Sequence, residues 1–146
     1  MTAEQLALTK WLLLPAFVHV AMVFLIGFRM GRARFRAARA GAVKVRDIAA
    51  DSSRWPEDVR KIGNAYQNQF ELPVLFYALL PLLIVTQKVD WPSVALAWVF
   101  MASRLVHAAI HLGPNIVIQR FRAFVFGFVV VVAMWVWFGI RLYFIG

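Results

Sequence analysis

The fold is decided by an uncharged run near the end of the chain, residues 123–140, which reads AFVFGFVVVVAMWVWFGI. Its 18 residues, at about 1.5 Å of helical rise each, nearly match the roughly 30 Å hydrocarbon core of a bilayer. Such a run is typical of a transmembrane helix and is too long for a transmembrane strand.

Three more apolar stretches precede it, at residues 11–28, 72–86 and 91–113, the last interrupted by Arg104. Hydrophobic residues make up 62% of the 146 residues and charged residues 16%, which is too apolar for an ordinary soluble core. We therefore predict an all-α, integral membrane four-helix bundle, one domain over residues 1–146. The expected spans are about 8–30, 60–86, 91–113 and 121–144, and the first is interpreted as retained because no small-residue cleavage pattern follows it.

Positive charge is concentrated after the first span. The net charge is +9, and ten of the 16 basic residues lie between Arg29 and Lys61. By the positive-inside rule this segment is a cytoplasmic loop, about residues 31–59, which places both termini on the non-cytoplasmic side. The charge therefore predicts orientation and contact with membrane lipids rather than nucleic-acid binding. A bacterial inner membrane is the expected location, although an endoplasmic reticulum protein would fit the same pattern.

The chain contains no cysteine. Disulfides, thiolate metal ligands and a cysteine nucleophile are thereby excluded. Any thiol chemistry must use a thiol that the substrate brings.

Polar residues form a stripe at the start of the second span. Asn64, Gln67, Asn68 and Glu71 are spaced i, i+3, i+4 and i+7, which predicts that they share one face of a helix. A carboxylate at this depth costs about 2.5 kcal/mol or more unless it has a partner, so Glu71 is expected to face the bundle interior. Pro73, just after the stripe, is expected to bend the helix and free backbone carbonyls.

The third span carries a second polar face with Arg104, His107 and His111 at i, i+3 and i+7. Glu71 and Arg104 are expected to lie at similar depth and to pair, and one interpretation is a buried ion pair that only orients helices. Two histidines with a carboxylate also resemble a metal site, but Arg104 on the same face disfavours a cation, and we expect no metal. Arg120, at the start of the fourth span, is expected near these residues, at the cytoplasmic side of the bundle.

Together these groups suit a zwitterionic ligand. Arginines can bind carboxylates, Glu71 can bind an ammonium group, and asparagine or glutamine amides can bind peptide groups. A proton relay through Glu71, His107 and His111 is a further possibility from the residues alone, as is a lipid-binding scaffold without enzymatic activity.

The same segments resemble the MAPEG family, the membrane-associated proteins of eicosanoid and glutathione metabolism. Residues 104–113, RLVHAAIHLG, are similar to the R-x-x-H-x-x-x-Y-L-G motif of its prostaglandin E synthase-like members, a group that includes bacterial proteins. Residues 68–73, NQFELP, resemble their N-x-x-E motif followed by proline, and Asp58 and Val59 lie correctly upstream.

The resemblance implies a homotrimer that binds glutathione as co-substrate between subunits, on the cytoplasmic side. By position, Asn68 and Glu71 would hold its polar groups, Arg104 and His107 would line the site, and Arg120 would stabilise the thiolate. The implied activity is that of a glutathione transferase or peroxidase acting on a hydrophobic small molecule.

Three positions depart from the family pattern. Asn64 stands where these members usually carry a glutathione-binding arginine, His111 replaces the tyrosine, and Phe121 replaces a serine. Arg29, Arg60 or Lys61 could supply the missing cation. The departure at Asn64 favours the alternative function, a non-enzymatic lipid-binding membrane scaffold of the same fold.

Overall fold

The computed structural model describes residues 2–48 and 51–145, and no β-strand occurs in this part of the chain. Three helices are long and apolar enough to cross a membrane: α1 (Ala3–Arg39), α5 (Trp91–Leu112) and α6 (Val117–Tyr143). Shorter elements lie between α1 and α5: α2 (Val45–Ile48), a 3-10 turn (Ser52–Arg54), α3 (Glu57–Gln67) and α4 (Pro73–Val85). The predicted class, an all-α membrane bundle, is confirmed.

The region of the second predicted span, residues 60–86, is not one continuous helix. Helix α3 ends at Gln67, and α4 begins at Pro73. Because proline lacks a backbone N–H and its ring crowds the carbonyl one turn earlier, regular helical hydrogen bonding stops before Pro73. Glu71, expected on the face of a continuous helix, therefore lies in the turn between the two helices. Helix α4 has 13 residues, or roughly 20 Å of rise, which is shorter than the hydrocarbon core.

Helix α1 extends well beyond the first predicted span. Its 37 residues correspond to roughly 55 Å, so the first part of the predicted basic loop is helical as far as Arg39. Beyond α1 the chain folds back against it, since the Arg34 guanidinium lies over the Trp55 ring at 5.5 Å. Within the returning segment, Arg60 Nη1 donates to the Ser53 carbonyl at 3.1 Å. We call the side of the bundle that carries the basic segment from Arg29 to Lys61 the basic end.

The core lies where α4, α5 and α6 meet. Phe76, Leu79, Phe100 and Val131 are each about 1% exposed and belong to one apolar cluster. Helices α5 and α6 approach closely at Gly127, where an added Cβ would lie 2.8 Å from Ser103 Oγ. This close crossing holds α5 and α6 together, and it leaves separate cavities on its two sides.

At the end of the bundle opposite the basic end, Asp90 joins α5 to α6. Its carboxylate accepts hydrogen bonds from the Ser93 backbone N–H at 3.0 Å and hydroxyl at 2.6 Å, and from the Trp137 indole N–H at 3.0 Å. Arg141 Nε lies 3.2 Å from the same carboxylate. One side chain thus caps α5 and binds the last turns of α6.

Replacing Asp90 by alanine should lower the free energy of unfolding by about 2–3 kcal/mol, because the helix cap and the hydrogen bonds to α6 are lost together. Asp90→Asn keeps an acceptor oxygen for Ser93 and Trp137 and should cost about 1 kcal/mol. Unfolding in mixed micelles, followed by circular dichroism, measures both. Equal stability of the two variants would contradict this role.

Candidate functional site

A cavity of about 400 Å³ opens at the basic end of the bundle. This volume lies in the range of small-molecule sites. Its walls come from α3, the α3–α4 turn, α5 and α6: Asn64, Gln67, Asn68, Glu71, His107, His111, Val117, Arg120, Phe121 and Phe124. Six of the seven site residues predicted from the sequence line it, and the seventh, Arg104, lies behind the wall.

The amide side chains of α3 and the Glu71 carboxylate line one wall of the cavity, although the helix is interrupted between α3 and α4. The residues that flank the break, Asn68 and Leu72, keep right-handed helical backbone angles, and Glu71 in the turn lines the same cavity as the amides of Asn64, Gln67 and Asn68. Asn68 Nδ2 donates to the Asn64 carbonyl at 3.1 Å, which fixes its side chain against α3. Glu71 is exposed and makes no salt bridge within the described residues. Its charge is therefore available to a ligand.

Arg104 is completely buried and does not form the expected ion pair with Glu71. Its Nη2 instead donates to the Asn68 carbonyl at 3.1 Å and to His107 Nδ1 at 3.3 Å. The physical reason is the helix break, which frees carbonyls at the end of α3 that accept from a guanidinium. Arg104 thus ties α5 to the end of α3 and positions the residues that do line the cavity.

The contact with Arg104 determines the tautomer of His107. A guanidinium can only donate, so Nδ1 must accept and we assign the ring proton to Nε2. His107 then offers an N–H donor. The His111 ring stands edge-on to the His107 ring at 5.8 Å, and its Nδ1 has no hydrogen-bond partner in the described part of the chain. Among residues 2–48 and 51–145, no group of three or more histidine or acidic residues is arranged to hold a metal ion.

Arg120 supplies the cation in the cavity wall. Its Nη1 donates to Asn115 Oδ1 at 2.7 Å, and Asn115, in the turn before α6, has a positive φ of 52°. Lys61 Nζ donates to the carbonyl of Gly113, which ties α3 to the end of α5. Arg122 lines a different cavity on the other side of the α5–α6 crossing. Arg120 and Arg122, both in the first turns of α6, therefore line different cavities.

Two kinds of site residue escaped the sequence analysis. Val117 and Phe124 of the apolar wall carried no signal, because such residues on a membrane helix suit lipid contact equally well, and Phe121 was noted only as a departure from the family's serine. Asn115 could have been noticed from the Gly-Pro-Asn turn of residues 113–115, since asparagine tolerates positive φ. Its bond to Arg120, however, follows from the fold of that turn.

Comparison with known proteins identifies a family that the chain is similar to. The sequence model of the MAPEG family matches residues 12–140. No curated protein and no solved structure matches the chain. The matched range contains every residue that lines the cavity.

Proposed function

The chain belongs to the MAPEG family, and from this premise we propose that the cavity at the basic end binds glutathione. The protein would then be a glutathione-dependent transferase or peroxidase acting on hydrophobic electrophiles or lipid hydroperoxides. The observation that carries this proposal is the composition of one cavity wall: amides, a carboxylate without a salt bridge in the described chain, imidazoles and a guanidinium, facing three apolar side chains.

Each group matches a part of the tripeptide. Glu71 suits the ammonium group, and the amides of Asn64, Gln67 and Asn68 suit the peptide groups. Arg120, held in place by Asn115, suits the sulfur, because a nearby cation favours the thiolate over the thiol. Lys61 of α3, whose Nζ donates to the Gly113 carbonyl at the end of α5, is a candidate replacement for the arginine that Asn64 displaces.

The chemistry needs no group beyond glutathione and the second substrate. In transfer, the thiolate attacks an electrophilic carbon, a carbon–sulfur bond forms, and the displaced electron pair leaves with the leaving group or takes up a proton. In peroxide reduction, the thiolate attacks the outer oxygen of a hydroperoxide, the O–O bond breaks, and a sulfenic acid of glutathione forms. The departing alkoxide takes up a proton and leaves as the alcohol. A second glutathione then converts the sulfenic acid to the disulfide and water. The apolar wall of Val117, Phe121 and Phe124 suits the hydrocarbon part of either substrate.

We also propose a homotrimer in a bacterial inner membrane, with the basic end in the cytoplasm. The side chains of Phe17, Phe24, Leu25 and Phe28 on α1 are 67–72% exposed in the single chain and need either lipid or another subunit. Cross-linking in native membranes tests the trimer. Protease access to the basic end in inverted vesicles tests the orientation.

The function is tested with purified protein in detergent, supplied with glutathione and either an aryl halide or a fatty-acid hydroperoxide. We expect turnover that requires glutathione, and heat of glutathione binding in calorimetry. S-methyl glutathione is the matched control, since it keeps the binding groups but cannot form a thiolate, and it should bind without turnover.

The rival function is a non-enzymatic lipid-binding scaffold, which the asparagine at position 64 favours. It predicts a co-purified lipid and no glutathione-dependent turnover. Absence of both binding heat and turnover would remove the proposal in favour of this rival.

A further inference from the structure

The end of α1 contains the same five-residue pattern twice. Residues 28–32 read FRMGR and residues 35–39 read FRAAR, so both have the form Phe-Arg-x-x-Arg and begin seven residues apart. At about 3.6 residues per turn, seven residues make nearly two full turns, which places both copies on one face of the helix. A groove of about 820 Å³ runs along this face. We call it the arginine face, defined by Phe28, Arg29, Arg32, Phe35, Arg36 and Arg39.

The two copies also repeat the same side-chain contact. The guanidinium of Arg32 lies 5.6 Å from the centre of the Phe28 ring, and that of Arg39 lies 5.6 Å from the centre of the Phe35 ring. Long side chains on an α-helix point back toward its N-terminus, so each arginine lies over the ring one turn earlier. Cation–π attraction holds the guanidinium there and leaves its N–H groups free to donate. Each copy thus presents one stacked guanidinium, with a second arginine beside it.

No carboxylate of the described chain neutralises the arginine face. Its four arginines are exposed, and none of them forms a salt bridge within residues 2–48 and 51–145. The acids of the following loop are engaged elsewhere, because Asp47 and Asp51 pair with Arg46 and Arg54. The arginine face therefore has four charges available to an anionic partner.

The helix dipole explains only part of this pattern. Arg36 and Arg39 lie in the last turn of α1, where a cation is favourable. Arg29 and Arg32 lie about two turns earlier and gain little from the dipole, which also gives no reason for two phenylalanines that are 64–67% exposed. Ala33, on the other side of the same stretch, is 3% exposed. The arginine face is thus the outer surface of α1, and its repeated pattern is best explained by a ligand.

We propose that the arginine face binds anionic phospholipids of the membrane leaflet at the basic end, and that each Phe-Arg-x-x-Arg copy holds one phosphate. Arginine suits this ligand because its planar fork can donate two hydrogen bonds to one phosphate. Any basic segment next to a span attracts lipid, but the repeated stacked arginines add a defined site on one helix face. The site shares no residue with the proposed glutathione cavity and does not depend on it.

The depth of the two copies favours lipid over a soluble polyanion. The first copy begins where the uncharged run of residues 11–28 ends, at the edge of the hydrocarbon core. The second lies roughly 10 Å further along the helix, and its stacked arginine points back toward the membrane. Because the head-group layer is about 5–7 Å thick on each side, both stacked guanidiniums lie within it or at its outer edge.

Native mass spectrometry of the purified full chain in micelles tests the proposal. The protein is titrated at physiological ionic strength with phosphatidylglycerol or with phosphatidylcholine of the same acyl chains. We expect phosphatidylglycerol to bind about tenfold more tightly, because the choline cation of the other lipid is repelled by the arginines. Equal affinities would overturn the proposal. Displacement of bound phosphatidylglycerol by an equimolar short single-stranded RNA would assign the face to nucleic acid and also overturn it.

A pair of double variants separates the arginine face from general charge. Arg32→Gln combined with Arg39→Gln removes the two stacked cations from exposed positions and should lower the affinity for phosphatidylglycerol about tenfold. Arg46→Gln combined with Arg54→Gln removes the same net charge from side chains that pair with acids, and should change the affinity by less than about twofold. Equal losses in the two proteins would indicate a general charge effect and contradict the site.

The role of the rings is tested with all charges kept. Phe28→Leu combined with Phe35→Leu should lower the affinity for phosphatidylglycerol about threefold, because the stacked guanidiniums lose their support. Phe17→Leu combined with Phe24→Leu, at exposed positions of α1 within the membrane, is the matched control and should leave the affinity unchanged. Wild-type affinity in the Phe28 and Phe35 double variant would overturn the assignment of the two copies as binding units.

Discussion

Replacing Arg120 by alanine is expected to lower glutathione-dependent turnover about 100- to 1,000-fold, which is the usual cost of removing a donor to a developing or resident anion. Arg120 lies in the cavity wall and is held by Asn115 at 2.7 Å, so its charge is already in place before the thiol arrives. Without it, a smaller fraction of the bound glutathione is thiolate at a given pH. Glutathione affinity should change much less than turnover. The ultraviolet absorbance of the bound thiolate should fall in parallel with turnover.

Arg122→Ala is the matched control for this variant. It removes the same charge two residues further along α6, from a side chain that lines the cavity on the other side of the helix crossing. Turnover should stay within about twofold of wild type. Arg120→Lys should retain part of the activity, because it keeps the charge but loses the planar fork. Equal losses in the Arg120 and Arg122 alanine variants would indicate a general charge effect and contradict the assigned role.

The second large effect is expected for Glu71→Gln, which should weaken glutathione binding about 10- to 100-fold in calorimetry. Glu71 lines the cavity and makes no salt bridge in the described chain, so its charge is free to bind the ammonium group. Glutamine has the same shape and removes only the charge. Glu57→Gln, an exposed carboxylate at the start of α3 outside the cavity, is the matched control and should leave binding unchanged.

A matched ligand separates the ammonium contact from a general loss of structure. N-acetyl glutathione lacks the cationic group, so it should bind wild type more weakly and be almost insensitive to Glu71→Gln. An equal loss for both ligands would mean that Glu71 supports the cavity without touching the ammonium group.

The fold class could be predicted because membrane-spanning helices are recognisable in sequence as long uncharged runs, such as residues 123–140. The clustering of polar residues could be predicted from helical spacing within α3 and within α5. That clustering tolerated the break before Pro73, since Glu71 in the turn lines the same cavity as the amides of α3.

The partners of buried polar groups could not be predicted, because they depend on how distant segments pack. Arg104 was expected to pair with Glu71 by charge, yet it bonds a carbonyl that the helix break frees. His19 finds Tyr77 across 58 positions of sequence, and no local pattern indicates that pair. The assigned glutathione roles of the residues that line the first cavity stay predictions.

The most direct test of the central claim is an experimental structure of the protein with saturating glutathione. The account predicts density for the tripeptide in the cavity at the basic end, with the ammonium group beside Glu71 and the sulfur nearest Arg120. An empty cavity, or glutathione bound with its sulfur away from Arg120, would contradict it.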